Sequence, residues 1–298
     1  MFKGSLVAIV TPMLANGDID ECSFRNLVKW HLEQGTNGIV VNGTTGESAT
    51  TTIEQRAKLI NIALEECGDH IPVIAGTGTN CTVTAIETTK MAMKLGVAAC
   101  LVVTPYYNKP TQAGLFEHFQ AIAVACNIPI ILYNVPGRTC CDLLPETVAK
   151  LSQIENIIGI KEATGDVARV KKLRASCKPG FLLLSGDDGT ALKFMCDGGD
   201  GIISVAANVV PKKMAELCKL AKNNALKEAE SLDNTLRDLY KVLFIETNPI
   251  PTKWALKQLG FIEEGIRLPL TKLSQEHRGL LQSVLSQVCN SKLMAEEF

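Results

Sequence analysis

Short apolar runs alternate along this chain with longer segments of helical period. The runs are Leu6–Val10, Gly38–Val41, Val73–Ala75, Cys100–Val103, Ile130–Tyr133, Ile157–Ile160, Phe181–Leu184 and Ile202–Val205. Their continuous Val/Ile/Leu character, without polar alternation, predicts strands covered on both faces, as in a parallel sheet. Between the first two, Phe24, Leu27, Val28 and His31 share one face at i, i+3, i+4 and i+7; Ala57, Ile60 and Leu64 do so before Gly68. Ala85–Leu95, Gly114–Cys126 and Pro145–Gln153 are similarly amphipathic or helix-favouring. Alternation repeated eight times predicts a right-handed series of βα units closing into an α/β fold, a (β/α)8 TIM barrel. A doubly wound open sheet is the structural rival.

After the eighth run the pattern is helical only, over Lys212–Asn223, Leu226–Phe244 and Pro251–Gln258, broken at Pro249-Ile-Pro251 and Gly260. The expected organisation is a catalytic barrel over residues 1–224 and a small C-terminal α-helical extension over 225–298. No low-complexity linker separates them, so the extension is expected to pack on the barrel.

Composition narrows the function without naming it. Across 298 residues, 46% are hydrophobic and 20% charged, with a net charge of −1, which predicts a substantial core and gives no reason to expect nucleic acid or an anionic membrane as partner. The longest apolar stretches, such as Ile128 to Tyr133, fall far short of the ~20 residues that span a bilayer. The opening Met1-Phe-Lys-Gly-Ser-Leu does not read as a signal peptide, and a cytoplasmic location is expected. The 11 cysteines are scattered, with no Cys-x-x-Cys spacing, and read as small buried thiols (Cys100, Cys126, Cys218) rather than disulfides or metal ligands.

In such a barrel the loops at the carboxyl ends of the strands build the active site. Those ends carry Thr11-Pro12, Asn42-Gly-Thr-Thr-Gly-Glu47, Gly76-Thr-Gly-Thr-Asn80, Thr104-Pro-Tyr-Tyr-Asn108, Tyr133-Asn-Val-Pro-Gly-Arg138, Lys161-Glu162, Ser185-Gly-Asp-Asp188 and Ser204. Hydroxyls, one lysine and one arginine gather at one rim, with no carboxylate cluster suited to a metal. Lys161 follows Ile157-Ile-Gly-Ile160, so an apolar strand end would favour the neutral amine that attacks a carbonyl, and the resulting iminium makes an enamine nucleophile. The plainer reading pairs it with a carboxylate such as Glu162. Tyr133 could serve as a general acid/base through a hydroxyl relay with Thr44 or Thr45, or simply pack its ring. Arg138 offers a planar fork for a substrate carboxylate, or is a surface arginine after a Pro-Gly turn. Gly43-Thr-Thr-Gly46 presents backbone N–H groups at a strand-to-helix junction, for a carboxylate or equally a phosphate, but lacks the lysine of a P-loop. Gly76-Thr-Gly is only a lone glycine pair.

Four ordered segments, Gly43-Thr-Thr-Gly-Glu47, Tyr133-Asn-Val-Pro-Gly-Arg-Thr139, Gly159-Ile-Lys-Glu-Ala163 and Leu184-Ser-Gly-Asp-Asp188, resemble the dihydrodipicolinate synthase family of the N-acetylneuraminate lyase superfamily. The resemblance spans essentially the whole barrel. It implies a class I aldolase-type lyase in which Lys161 forms a Schiff base with pyruvate and the enamine attacks L-aspartate 4-semialdehyde, in lysine and diaminopimelate biosynthesis, with no cofactor and no metal. It implies Tyr133 as the acid/base group, Thr44 linking it to Tyr107 in a proton relay, and Tyr107 reaching into a neighbouring subunit of a homo-oligomer, usually a tetramer built as a dimer of dimers. Arg138 would take the carboxylate of the semialdehyde and Thr45 that of pyruvate, with Gly186 and Ile203 lining the pyruvate pocket. The sugar-acid aldolases of the same superfamily are the second reading; sialic acid lyases typically lack the arginine of Pro136-Gly-Arg138 and prefer Ser-Thr over Thr44-Thr45. A barrel without catalysis, serving as a binding or scaffold protein, is a reading of another class, opposed by the retention of every functional side chain the family uses.

Lysine-inhibited members bind lysine at the dimer interface. Ser48, Ala49, Asn80 and Tyr106 occupy the corresponding positions compatibly, whereas Ile53, Arg56 and Thr84 replace two histidines and a glutamate of the inhibited enterobacterial pattern. Isoleucine offers no hydrogen bond, the anionic partner for the effector's ammonium is lost, and Arg56 adds a like charge. Weak or absent lysine inhibition is the expectation.

Overall fold

The structure, a computed structural model, describes residues 1–289; residues 290–298 of the expected extension lie outside it. Eight parallel strands close into a barrel in sequence order: β1 (Gly4–Ala8), β2 (Gly38–Val41), β3 (Val73–Gly76), β4 (Ala99–Val103), β5 (Ile130–Asn134), β6 (Ile157–Glu162), β7 (Leu182–Ser185) and β8 (Gly201–Ser204), with β8 pairing back to β1. Each sits on an apolar run of the sequence, displaced by a residue or two at its ends. The open-sheet rival is thereby excluded.

The connecting helices are α1 (Glu21–Glu33), α2 (Ile53–Cys67), α3 (Thr82–Leu95), α4 (Gln112–Ala125), the one-turn α5 (Pro136–Thr139), α6 (Pro145–Leu151), α7 (Ala168–Ser176), α8 (Ala191–Cys196) and α9 (Pro211–Lys222). Their starts are chemically marked. Asp20 accepts from Ser23 N at the head of α1, and Thr52 with Gln55 forms a capping box on α2. The buried residues of α1 are Phe24, Leu27, Val28 and His31, the stripe read from the sequence. In α2 the buried face is Leu59, Ile60, Ile62, Ala63 and Cys67, so Ala57 and Leu64 lie at its edge; the apolar positions there are dense enough to admit two adjacent stripes, and the sheet takes the wider one.

Alternation along each strand divides the core in two. One set, including Leu6, Ala8, Val40, Ile74, Leu101, Ile131, Leu184 and Ile203, fills the barrel interior. The other, including Val7, Ile39, Val102, Leu132 and Ile160, meets the helices. Burying each Val, Leu or Ile among them stabilises the fold by roughly 1.5–3 kcal/mol. The cysteines are all free: Cys67, Cys100, Cys126, Cys141, Cys218 and Cys289 are buried, but Cys22, Cys81, Cys140 and Cys196 are exposed, so burial is not their general state.

Beyond the barrel lie α10 (Leu226–Val242), α11 (Ile250–Gln258) and α12 (Gln275–Val288). Leu236, Leu239, Trp254, Leu281 and Leu285 are buried in the same apolar cluster as the outer barrel face, so these three helices pack against it. Among the described residues, no helix is long and apolar enough to cross a membrane.

Candidate active site

Parallel register sets the centre of the site. Tyr133 on β5 is directly paired with Lys161 on β6, and Lys161 with Leu184 on β7, so all three side chains point to the barrel interior. Lys161 is 5% exposed, with its Nζ 4.5 Å from the Tyr133 ring centroid. Its neighbour Glu162 points the other way, accepting from Asn134 Nδ2 at 3.2 Å and Thr164 N at 2.9 Å, with Arg169 nearby at 3.5 Å. The plain Lys161–Glu162 ion pair is therefore absent. Gly186 makes room for the lysine stem: a β-carbon there would lie 2.9 Å from Lys161 Cε and 2.6 Å from Ala163 Cβ.

Burial pulls the Lys161 ammonium down to about 8, helped by the Arg138 charge and opposed by the Asp188 carboxylate. Asp188 is buried, with its oxygens accepting from Ser204 Oγ, from Val205 N at 3.0 Å and from Ala206 N at 2.9 Å. Burial also pushes the Tyr133 phenol up, against the pull of the Arg138 charge and the nearby Thr44 hydroxyl.

These groups surround a cavity of about 120 Å³, lined by Thr44, Thr45, Tyr133, Arg138, Lys161 and Gly186 together with Gly43, Asp187, Phe244 and Asn248. The larger hollows lie elsewhere on the surface; the 670 Å³ one, lined by Lys3, Lys212 and Lys219, is at the opposite, amino-terminal end of β1 and holds none of the strand-end groups. Six residues singled out from the sequence thus converge. Arg138 is an exposed residue at the mouth, with its Nη2 donating to Asn248 O at 3.1 Å, so it is a surface arginine that also lines the cavity. Ile203 belongs to the interior cluster that includes Tyr133 but does not line the cavity. Tyr107 is not brought in: it is 89% exposed on the β4–α4 loop, with φ +76°.

The Gly43–Gly46 loop lies between β2 and a single 3-10 turn at Ser48–Thr50, just ahead of α2. It folds on itself, Glu47 N donating to Thr44 O and Ser48 N to Gly43 O, and Gly46 packs on β1, a β-carbon there meeting Ile9 O at 3.2 Å. The Gly76-Thr-Gly pair has a packing role: β-carbons at Gly76 and Gly78 would strike Asn42 O at 2.2 Å and Val103 N at 2.3 Å. Of the expected effector positions, Arg56 bonds to Ser48 O and to Thr51 Oγ1 and lies near Tyr106. Asn80 O accepts from Asn108 Nδ2 at 2.8 Å; Ala49 and Ile53 are exposed, and Thr84 is partly exposed.

Sequence reading missed the contribution of the extension. Asn248 Nδ2 donates to Thr45 Oγ1 at 2.9 Å, Lys253 forms a buried ion pair with Glu47, and Arg267 N donates to Glu47 Oε2 at 3.1 Å. The signal available was an amide and a lysine beside Pro249-Ile-Pro251, in a segment otherwise read only for helices. Among the described residues, no group of His, Cys, Asp and Glu is placed to hold a metal ion.

Fold and site define a (β/α)8-barrel protein built around a buried lysine at a strand's carboxyl end. The chain belongs to the dihydrodipicolinate synthetase family, whose model matches residues 1–288. It is 54% identical over 288 residues to the 4-hydroxy-tetrahydrodipicolinate synthase of Coxiella burnetii, covering 97% of this chain and 99% of that one. To the synthase of the same name from Saccharophagus degradans it is 51% identical over 285 residues, covering 96% and 98%. Among solved structures, the chloride-inhibited dihydrodipicolinate synthase of Acinetobacter baumannii complexed with pyruvate matches with a TM-score of 0.95 at 50% identity, covering 97% of this chain and 99% of that one. The enzyme of Cyanidioschyzon merolae with lysine bound matches with a TM-score of 0.94 at 37% identity, covering 96% and 98%.

Proposed function

We propose that this chain is a 4-hydroxy-tetrahydrodipicolinate synthase, condensing pyruvate with L-aspartate 4-semialdehyde through an imine on Lys161. The observation that carries the reading is the buried Lys161 amine, lowered to about 8 and set over the Tyr133 ring in a cavity that admits only a small ligand. The name of the relatives at 54% and 51% identity and the pyruvate held by the A. baumannii enzyme support the same substrates.

The neutral amine adds to C2 of the keto acid and water leaves, giving an iminium. Loss of a methyl proton makes the enamine, whose carbon attacks the aldehyde. The semialdehyde's own amine then closes the ring at C2 and returns Lys161. Tyr133 shuttles the protons, and Thr44, on the same cavity wall, passes them on toward Tyr107. Thr45 holds the pyruvate carboxylate, Arg138 the carboxylate of the semialdehyde, and Gly186 shapes the pyruvate pocket, with Ile203 in the interior cluster that includes Tyr133. Tyr107 acts in a neighbouring subunit of a homotetramer, a role supported by its exposed side chain. In this scheme residues 1–224 are the catalytic barrel and 225–298 the C-terminal extension, whose described helices pack on the barrel.

A coupled assay of pyruvate with L-aspartate 4-semialdehyde against sugar-acid aldehydes tests the assignment. Turnover confined to the semialdehyde is expected; faster turnover of a sugar-acid aldehyde would move the chain to the aldolases.

A further inference from the structure

Asn248 carries three hydrogen bonds that together constrain the cavity wall. The residue is 3% exposed. Its side-chain Nδ2 donates to Thr45 Oγ1 at 2.9 Å, its Oδ1 accepts from Thr252 Oγ1 at 3.1 Å, and its backbone carbonyl accepts from Arg138 Nη2 at 3.1 Å. Thr252 is fully buried one helical turn along α11. With its hydroxyl proton directed at Oδ1, the amide is left with its NH2 toward Thr45. Thr45 Oγ then accepts that N–H, and its own proton is left to donate into the cavity that it lines. A hydroxyl free to rotate would lose that direction; one that has accepted a fixed N–H keeps it.

We propose that Asn248 is a positioning residue that aims the Thr45 hydroxyl and seats the Arg138 guanidinium, so that one residue of the helical extension fixes the groups that receive both substrate carboxylates. This rests on the roles given above to Thr45 and Arg138. It gives the extension a function in substrate binding, because Asn248 reaches the cavity between α10 and α11. The two contacts differ in kind. The bond to Thr45 comes from the side chain and is lost on truncation, whereas the bond to Arg138 comes from the backbone and survives it. Truncation should therefore weaken the keto acid more than the aldehyde.

Steady-state kinetics of the full-length Asn248→Ala and Asn248→Asp enzymes test this, with competent sites counted by borohydride trapping of bound pyruvate. For Asn248→Ala, KM for pyruvate should rise about tenfold, the loss of one well-placed hydrogen bond, with a smaller rise for the semialdehyde and little change in kcat per competent site. Asn248→Asp keeps the shape but accepts the Thr45 proton and adds a negative charge beside the bound carboxylate, so its pyruvate KM should rise further than that of Asn248→Ala. A merely structural role would lower the number of competent sites without moving KM, and would make the isosteric variant the milder one; either result overturns the proposal. Wild-type trapping in parallel separates it from the reading beneath it. No pyruvate adduct on wild-type Lys161 would overturn that reading, whereas a normal adduct with pyruvate KM within twofold of wild type in both variants would overturn the role of Asn248 alone.

Discussion

Glu47 and Lys253, 206 residues apart in sequence, form an ion pair whose two side chains are 0% and 4% exposed. The pair joins the loop that carries Thr44 and Thr45 to the α11 helix of the extension. Burial draws the Lys253 ammonium down while the Glu47 charge holds it up. Such a pair is weak evidence of net stability, but losing one partner strands a charge in the interior. Lys253→Met should destabilise the protein by about 3–5 kcal/mol in urea, with Trp254 next door as a fluorescent reporter, and the Glu47→Gln, Lys253→Met double variant should recover most of it. A single variant within about 1 kcal/mol of wild type would remove the pair as the link between loop and extension.

Imine formation should follow the titration of Lys161. With the ammonium at about 8, the reactive neutral amine is a minor species at neutral pH and becomes dominant above that value. The initial rate of pyruvate adduct formation should rise about tenfold per pH unit below the inflection and level above it. Quenched-flow borohydride trapping across pH 6 to roughly 10 reads this directly; a rise continuing to the ordinary lysine range near ~10.4 would mean that burial does not lower the amine.

Tyr107 does not line its own chain's cavity, and the proposed relay places it in the site of a second copy. If sites are shared, mixing inactive Lys161→Ala and Tyr107→Phe enzymes under subunit exchange should restore part of the activity, by assembling intact sites from two damaged chains. No recovery after demonstrated exchange would confine Tyr107 to a surface role.

Lysine should inhibit weakly or not at all. Ile53 is 48% exposed and offers no polar atom to the effector position, and the Arg56 guanidinium presents a like charge to a cationic ligand. Titrating L-lysine into the coupled assay checks this, and half-inhibition in the sub-millimolar range would contradict it.

The barrel was legible because buried parallel strands leave unbroken Val/Ile/Leu runs, and because in a barrel the strand ends announce where chemistry belongs. The strand ends offered Lys161, Tyr133, Thr44, Thr45 and Arg138 as candidates, and the family resemblance gave them their roles and added Gly186. The sequence was silent where function depends on long-range contact. Nothing local in Asn248, Lys253 or Arg267 reveals that they meet a loop some two hundred residues earlier. Within the Gly43–Gly46 loop, Gly43 lines the cavity whereas Gly46 packs against Ile9, and glycines that admit a ligand and glycines that admit a neighbouring backbone look alike in sequence.

The central claim is the covalent one: Lys161 is the residue that forms the imine. The direct measurement is incubation with pyruvate and borohydride, followed by peptide mass spectrometry of the whole chain. The account predicts a single reduced pyruvate adduct on Lys161, abolished in Lys161→Ala. An active enzyme with no adduct, or with its adduct on another lysine, would contradict it.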